Sequence, residues 1–257
     1  MERRSFLSTG IGLTTLGTAS ARHIEKRTTA SSKIDGNELY EWRTYDIKWG
    51  SNVELLLTYL KEVLKPALLR HGAKEMMVFD EIAPGGPDKI FALINYPDAN
   101  TYLHCQNLAT DNDYRTQAAT YNNITPKDSL YNRYNSSLLL AFDGMKEMMN
   151  PVNNATVFEL RIYEGYNEDA VSRKIQMFDD EEIELFLKVG LNPVFFGKMI
   201  SGPYRPSLVY MLNFTDMDAH GVAWKAFIQS PEWNTMKAMS KYANTVSNIR
   251  NTFLKQI

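Results

Sequence analysis

Two short segments of this chain carry a carboxylate, a guanidinium and a phenol on alternate residues: Glu41, Arg43, Tyr45 and Glu159, Arg161, Tyr163. Both lie in runs rich in aromatic and branched residues, Tyr40 to Tyr45 and Phe158 to Tyr163, which read as β-strands. Alternate side chains of a strand share a face, so each trio points one way. In the second strand the opposite face is Phe158, Leu160 and Ile162, a core face, and the polar trios are therefore expected to face the space between two sheets. In that position they can orient an anionic or carbonyl-bearing ligand. Alternatively each glutamate pairs with its arginine as a buried structural network. The six residues are candidate ligand contacts on the first reading, and no catalytic residue is assigned.

The remaining titratable residues form no recognisable constellation. The four histidines, His23, His71, His104 and His220, show no His-x-x-x-His or Glu-x-x-His spacing, so no metal site is expected. The single cysteine, Cys105, excludes an internal disulfide framework and reads as a helix residue near the core. Asp179 to Glu182 reads as a solvated helix face, and Met76, Met77, Met199 and Met211 read as core packing. Dinucleotide, P-loop and Gly-x-Ser-x-Gly signatures are absent, which removes the main support for nucleotide-dependent and serine-hydrolase functions.

The 257 residues, 44% hydrophobic and 23% charged, suffice for a sizeable core. A net charge of −2 gives no electrostatic footprint for nucleic acid or an anionic membrane. Residues 1–21 read as a leader, with Arg3 and Arg4, a mildly apolar run and a small-residue cleavage site ending at Ala21. The Arg-Arg-x-Phe-Leu string looks like a twin-arginine signal, with a Sec signal as the alternative. Both routes export the chain to a periplasmic or other extracytoplasmic place. Residues 22–37 read as a flexible polar linker, and no run approaches the ~20 apolar residues of a transmembrane helix.

An internal repeat positions the trios. Glu41 and Glu159 lie 118 residues apart, as do Gly72 and Gly190, Asn95 and Asn213, and Asp98 and Asp216. After each first strand comes an amphipathic helix ended by Gly72 or Gly190. The first helix, with Leu56, Leu60, Leu64 and Leu68 on one stripe, is expected to bend near Pro66. Next come strands over 76–82 and 194–200, Gly/Pro turns, and continuously apolar strands over 90–94 and 208–212 that ask for burial on both faces. Asp98, Asp216 and Ser230 are placed to cap further helices, and strands over 136–142 and 246–254 close the copies.

The order β-α-β-β-α-β, twice, predicts an α+β protein of two tandem ferredoxin-like modules, residues 38–149 and 150–257, joined by a link over 143–155. Their antiparallel sheets are expected to pack as an intramolecular dimeric α/β barrel. The paired Glu-x-Arg-x-Tyr strands, the glycine-ended helices, the apolar hairpins and Ser230-Pro231-Glu232-Trp233 together resemble the NIPSNAP family of the dimeric α/β-barrel superfamily. The resemblance covers residues 38–257 and is strongest from Thr156 onward. It implies architecture and no catalytic residues; superfamily relatives include cofactor-independent monooxygenases, isomerases and haem enzymes, with His220 the one histidine a haem would use here. The expectation is an exported protein, monomeric or homodimeric and without a cofactor, that binds a small ligand or a protein partner. The alternative is a cofactor-independent monooxygenase or isomerase working in the cavity between the two sheets.

Overall fold

Strand β1 (Leu39–Ile47) leads into a long helix in three parts: α1 (Val53–Thr58), a π turn (Tyr59–Leu64) and α2 (Lys65–Arg70). The first half continues with β2 (Glu75–Glu81), β3 (Lys89–Tyr96), α3 (Ala99–Cys105), α4 (Asn112–Gln117), α5 (Ala119–Asn122) and β4 (Tyr131–Ala141). The second half repeats the order with β5 (Val157–Glu164), α6 (Glu168–Met177), a π turn (Phe178–Glu182) and α7 (Ile183–Val189). It ends with β6 (Asn192–Ser201), β7 (Ser207–Phe214), α8 (Met217–Gln229), α9 (Pro231–Met236) and β8 (Asn248–Gln256). This computed structural model describes residues 36–257; the leader with Arg3, Arg4 and Ala21, and the linker through residue 35, lie outside the described residues.

Local chemistry sets the boundaries. Asp98, Asp216 and Ser230 accept the backbone amides of Thr101, Ala219 and Trp233, as N-caps do. In the first half Asp111 caps α4 through the Tyr114 amide, the place Ser230 takes in the second. Gly190 closes α7 at φ +83°, a left-handed cap that a side chain would strain. The bend expected near Pro66 is a π turn just before it, and the same turn recurs at 178–182 with no proline. The irregularity therefore belongs to the repeated unit, and Pro66 is only accommodated at the start of α2.

The eight strands form one closed antiparallel barrel in the order β1-β3-β2-β8-β5-β7-β6-β4. Each half contributes four strands, and each last strand crosses over: β4 pairs β1 and β6, while β8 pairs β5 and β2. The sheets thus join edge to edge, which removes the free edges that separate sheets would expose. Gly197 permits the β4–β6 seam, since a Cβ there would lie 2.8 Å from Leu139 Cβ. The double burial read from β3 and β7 now has its cause: helices cover the outer face and the barrel encloses the inner one. Tyr40, Trp42, Phe79, Phe91, Phe158, Leu160, Phe195 and Met211 belong to that interior. At roughly 1.5–3 kcal/mol for each large apolar side chain withdrawn from water, they bind the halves into one unit.

The ends of the barrel differ. The link between halves folds across the end where β1 and β5 begin. There the Glu38 amide donates to Lys146 O at 2.9 Å, the Met149 amide to Val194 O at 2.9 Å and the Val152 amide to Asn213 Oδ1 at 2.8 Å. Met148 and Ala155 pack against the interior cluster. The opposite end, where β1 and β5 finish, is open.

Candidate functional site

Strand alternation brings each trio together as expected, but on the other side of the sheet. Glu41, Arg43, Tyr45 and Glu159, Arg161, Tyr163 face the helices, whereas Trp42, Leu160 and Ile162 face the barrel interior. The expectation that the polar trios face the space between the sheets is therefore corrected. An apolar strand face marks burial, and a helix-covered barrel strand is buried on both sides, so apolarity does not say which side is inner.

Each trio is a closed network. Glu41 takes Arg43 Nε at 2.7 Å and Nη2 at 2.9 Å, the Ser136 hydroxyl at 2.7 Å and the Tyr96 hydroxyl at 2.9 Å. Burial pushes the Glu41 carboxyl up, but Arg43 and these donors outweigh it and hold it below the usual carboxylate range. Glu159, fully buried, collects Arg161 Nη1 at 2.7 Å, Asn251 at 2.9 Å, Trp224 Nε1 at 2.8 Å and His220 Nε2 at 3.1 Å. Burial raises the Tyr45 phenol to about 12, against the pull of Arg43, and raises Tyr163 as well. Neither tyrosine is a base near neutral pH. Tyr163 accepts the Tyr210 hydroxyl at 2.9 Å, and Tyr45 is packed 5.2 Å from the rings of both Tyr131 and Tyr134. Arg43 borders a hollow between the sheet and helices of the first half, and the Arg161 side chain is 17% exposed.

The His220 Nε2 faces the Glu159 carboxylate at 3.1 Å, and its ring packs edge-on against Phe214 and Phe253 at 5.0 and 5.2 Å. Glu182, read as part of a solvated face, is buried and paired with Lys174 beneath the ring of Phe178. The π turn is the reason: each helical position advances about 100°, so one inserted residue carries Glu182 to the inner face. Cys105 is a buried residue at the end of α3, as expected. Among the described residues no group of three or more His, Cys, Asp and Glu gathers for a metal, and no helix is long and apolar enough to cross a membrane.

The open end of the barrel holds a cavity of about 500 Å³. Its inner wall is Trp42, Phe91, Leu139, Leu160, Met199 and Val209, with Trp42 and Phe91 stacked at 5.4 Å. Toward the mouth the lining turns polar: Thr44, Asp46, Lys89, Asn135, Ser137 and Arg250. Arg250 is fixed there by an ion pair with Glu164 and by the ring of Tyr204, 4.3 Å below its guanidinium. These residues were not singled out from the sequence, although a signal existed. The inner face of β1 runs Tyr40, Trp42, Thr44, Asp46, and that of β8 runs Leu254, Thr252, Arg250: apolar to polar in the same direction along the barrel.

The NIPSNAP family model matches residues 158–257. The match lies within the second half of the chain, which is similar to a NIPSNAP domain. No curated protein sequence matches the chain. Solved structures extend the likeness across both halves. A candidate monooxygenase of Fusobacterium nucleatum is 10% identical with a TM-score of 0.59, over 87% of this chain and 94% of that one. A second candidate monooxygenase, from Lactobacillus acidophilus, is 10% identical with a TM-score of 0.56, over 86% and 94%. An anthrone oxidase-like protein is 8% identical with a TM-score of 0.51, over 87% and 92%. At such identities the likeness is one of fold. The matched half and the half before it together make an α/β barrel of the fold these proteins share.

Proposed function

We propose that this chain is a small-molecule binding protein whose barrel interior takes an elongated, mainly apolar ligand with a polar end at the mouth. One observation carries the reading: a cavity of about 500 Å³ at the open barrel end that joins an aromatic and aliphatic wall to a polar and charged one. Sites for drug-sized molecules have that size and that division of chemistry. Titratable groups in the lining, Asp46, Glu81, Lys89, Tyr204 and Arg250, sit at the mouth. General acid–base catalysis needs such a group within hydrogen-bond reach of the reacting atom, so the arrangement favours binding over turnover at the wall. A cofactor-independent monooxygenase or isomerase is the alternative, and it would have to work at the mouth.

The proposal places this activity outside the cytoplasm, on the strength of the leader over residues 1–21. It requires no second subunit, because both halves of the barrel come from one chain. Native mass spectrometry of the protein purified from its host tests the binding reading. A retained organic molecule, released intact on unfolding, is the expected result; a chain that carries none and takes up none from a host lipid and metabolite extract contradicts it.

A further inference from the structure

On the outer surface of the first half, the end of the long helix lies beside α3. His71, which caps α2, and His104, on α3, bring Nδ1 and Nε2 to 3.2 Å from one another, with their ring centres 5.0 Å apart. On the far side of its ring His71 Nε2 faces Asp111 Oδ2 at 3.1 Å, and Arg70 Nη2 holds the same oxygen at 2.7 Å. The two histidines are 33 residues apart, so the short ligand spacings sought in the sequence could not reveal them. The repeat spacing of 118 residues puts Val189 and Val222 in their places in the second half. The shared fold therefore needs no imidazole at either position, yet the first half carries one at both. Neither histidine lines the barrel cavity or the hollow beside Arg43.

Asp111 sets the tautomer of the pair. An ionised carboxylate can only accept, so His71 Nε2 carries its proton and Nδ1 turns a lone pair toward His104. A carboxylate on the outer nitrogen of an imidazole is the device that orients metal-ligating histidines. Zinc binds imidazole nitrogen at about 2.0–2.1 Å in a tetrahedral shell, so two such ligands lie about 3.3–3.4 Å apart. The 3.2 Å between His71 Nδ1 and His104 Nε2 is close to that separation. We propose that His71 and His104 form a two-histidine site for a divalent ion that prefers imidazole, of the zinc, nickel and copper(II) class. The ion takes the place of the proton shared between the two nitrogens, and His104 carries its own proton on Nδ1. The His71 side chain is 17% exposed and His104 is exposed, so water completes the coordination. Bound there, the ion ties the end of α2 to α3, and Asp111 positions it by holding the His71 ring.

The test is calorimetric titration of the full chain, free of any affinity tag, with zinc chloride. Saturable one-to-one binding is expected, weakened at least tenfold in His104→Val and in His71→Val, which install the residues of the second half. Saturating zinc is expected to raise the unfolding temperature of the wild-type chain and to leave that of His104→Val unmoved, because an ion that binds only the folded state stabilises it. Asp111→Asn keeps a cap on α4 and is expected to weaken zinc about tenfold. Should either valine variant fail to fold, His104→Gln removes the ligand while keeping a polar side chain on the exposed face of α3. Zinc bound as tightly by a folded His104 variant as by the wild type overturns the inference, as does the absence of saturable binding by the wild-type chain below millimolar zinc. An Asp111→Asn chain with unchanged zinc affinity overturns the role given to Asp111.

Discussion

The Glu38 carboxylate accepts the backbone amide of Met148 at 2.6 Å, tying the link between the halves to the first strand of the barrel it closes. The same carboxylate takes Lys74 Nζ at 2.6 Å, Asn95 Nδ2 at 3.0 Å and the Tyr40 hydroxyl at 3.2 Å. Glu38 is 2% exposed, and its removal leaves these four donors without an acceptor, the Tyr40 hydroxyl and the Asn95 amide among them buried. Glu38→Ala is expected to cost about 2–4 kcal/mol, read by urea unfolding, from unsatisfied buried polar groups. A loss below ~0.5 kcal/mol would mean that the link does not depend on this anchor.

Separating the halves exposes two sheet edges, β2 and β4, and the apolar inner face together. Residues 38–149 expressed alone are expected to dimerise or aggregate, since a second copy can supply the missing strands. A soluble monomer with a cooperative unfolding transition, seen by sedimentation and circular dichroism, would contradict the shared barrel.

Glu159 and Arg161 are unequal partners. Glu159 has four donors, whereas Arg161 Nε is buried with no partner among the described residues. Glu159→Gln is expected to cost about 3–5 kcal/mol, and Arg161→Met about 1–3, because Trp224, His220 and Asn251 still satisfy the carboxylate. The double variant then recovers little. Chemical unfolding of the three variants gives the order; a larger loss for Arg161→Met would reverse it.

The buried Lys174–Glu182 pair has its apolar counterpart in the first half, where the repeat spacing places Leu56 and Leu64. Burial, stronger than the attraction of Lys174, raises the Glu182 carboxyl above its usual range. The native state therefore holds the Glu182 proton more tightly than the unfolded chain does. Its contribution to stability is fully present below the unfolded value of ~4.3 and is lost as pH rises through the raised native one. Lys174→Leu with Glu182→Leu is expected to gain about 1–4 kcal/mol near neutral pH, while either change alone loses about 3–5. Thermal unfolding across pH 4 to 8 checks both the sign and the slope.

Much of the architecture was legible because the repeat is ungapped: Glu41 and Glu159, Gly72 and Gly190, and Asp98 and Asp216 fix strand, helix end and cap in both copies. The double burial of β3 and β7 also pointed to an enclosed second face. The sidedness of Glu41 and Glu159 was not legible, because strand alternation separates two faces without labelling inner and outer. Glu182 was hidden by its neighbours: four consecutive acids read as solvated until a π turn rotates one inward. The cavity escaped notice because its lining is assembled from strands distant in sequence, Thr44, Ser137, Leu160 and Arg250 among them, and no local pattern announces their meeting.

The open barrel end is the centre of this account, and fluorescence titration with 1-anilinonaphthalene-8-sulfonate, an apolar aromatic body with one anionic group, addresses it most directly. The wild-type chain is expected to bind the dye saturably, with affinity lost in Thr44→Phe, which fills the mouth, reduced in Arg250→Gln, and retained in Gln106→Trp, whose change lies on the outer side of the sheet. A folded Thr44→Phe variant that binds the dye as tightly as the wild type would contradict the assignment of the barrel cavity as the ligand site.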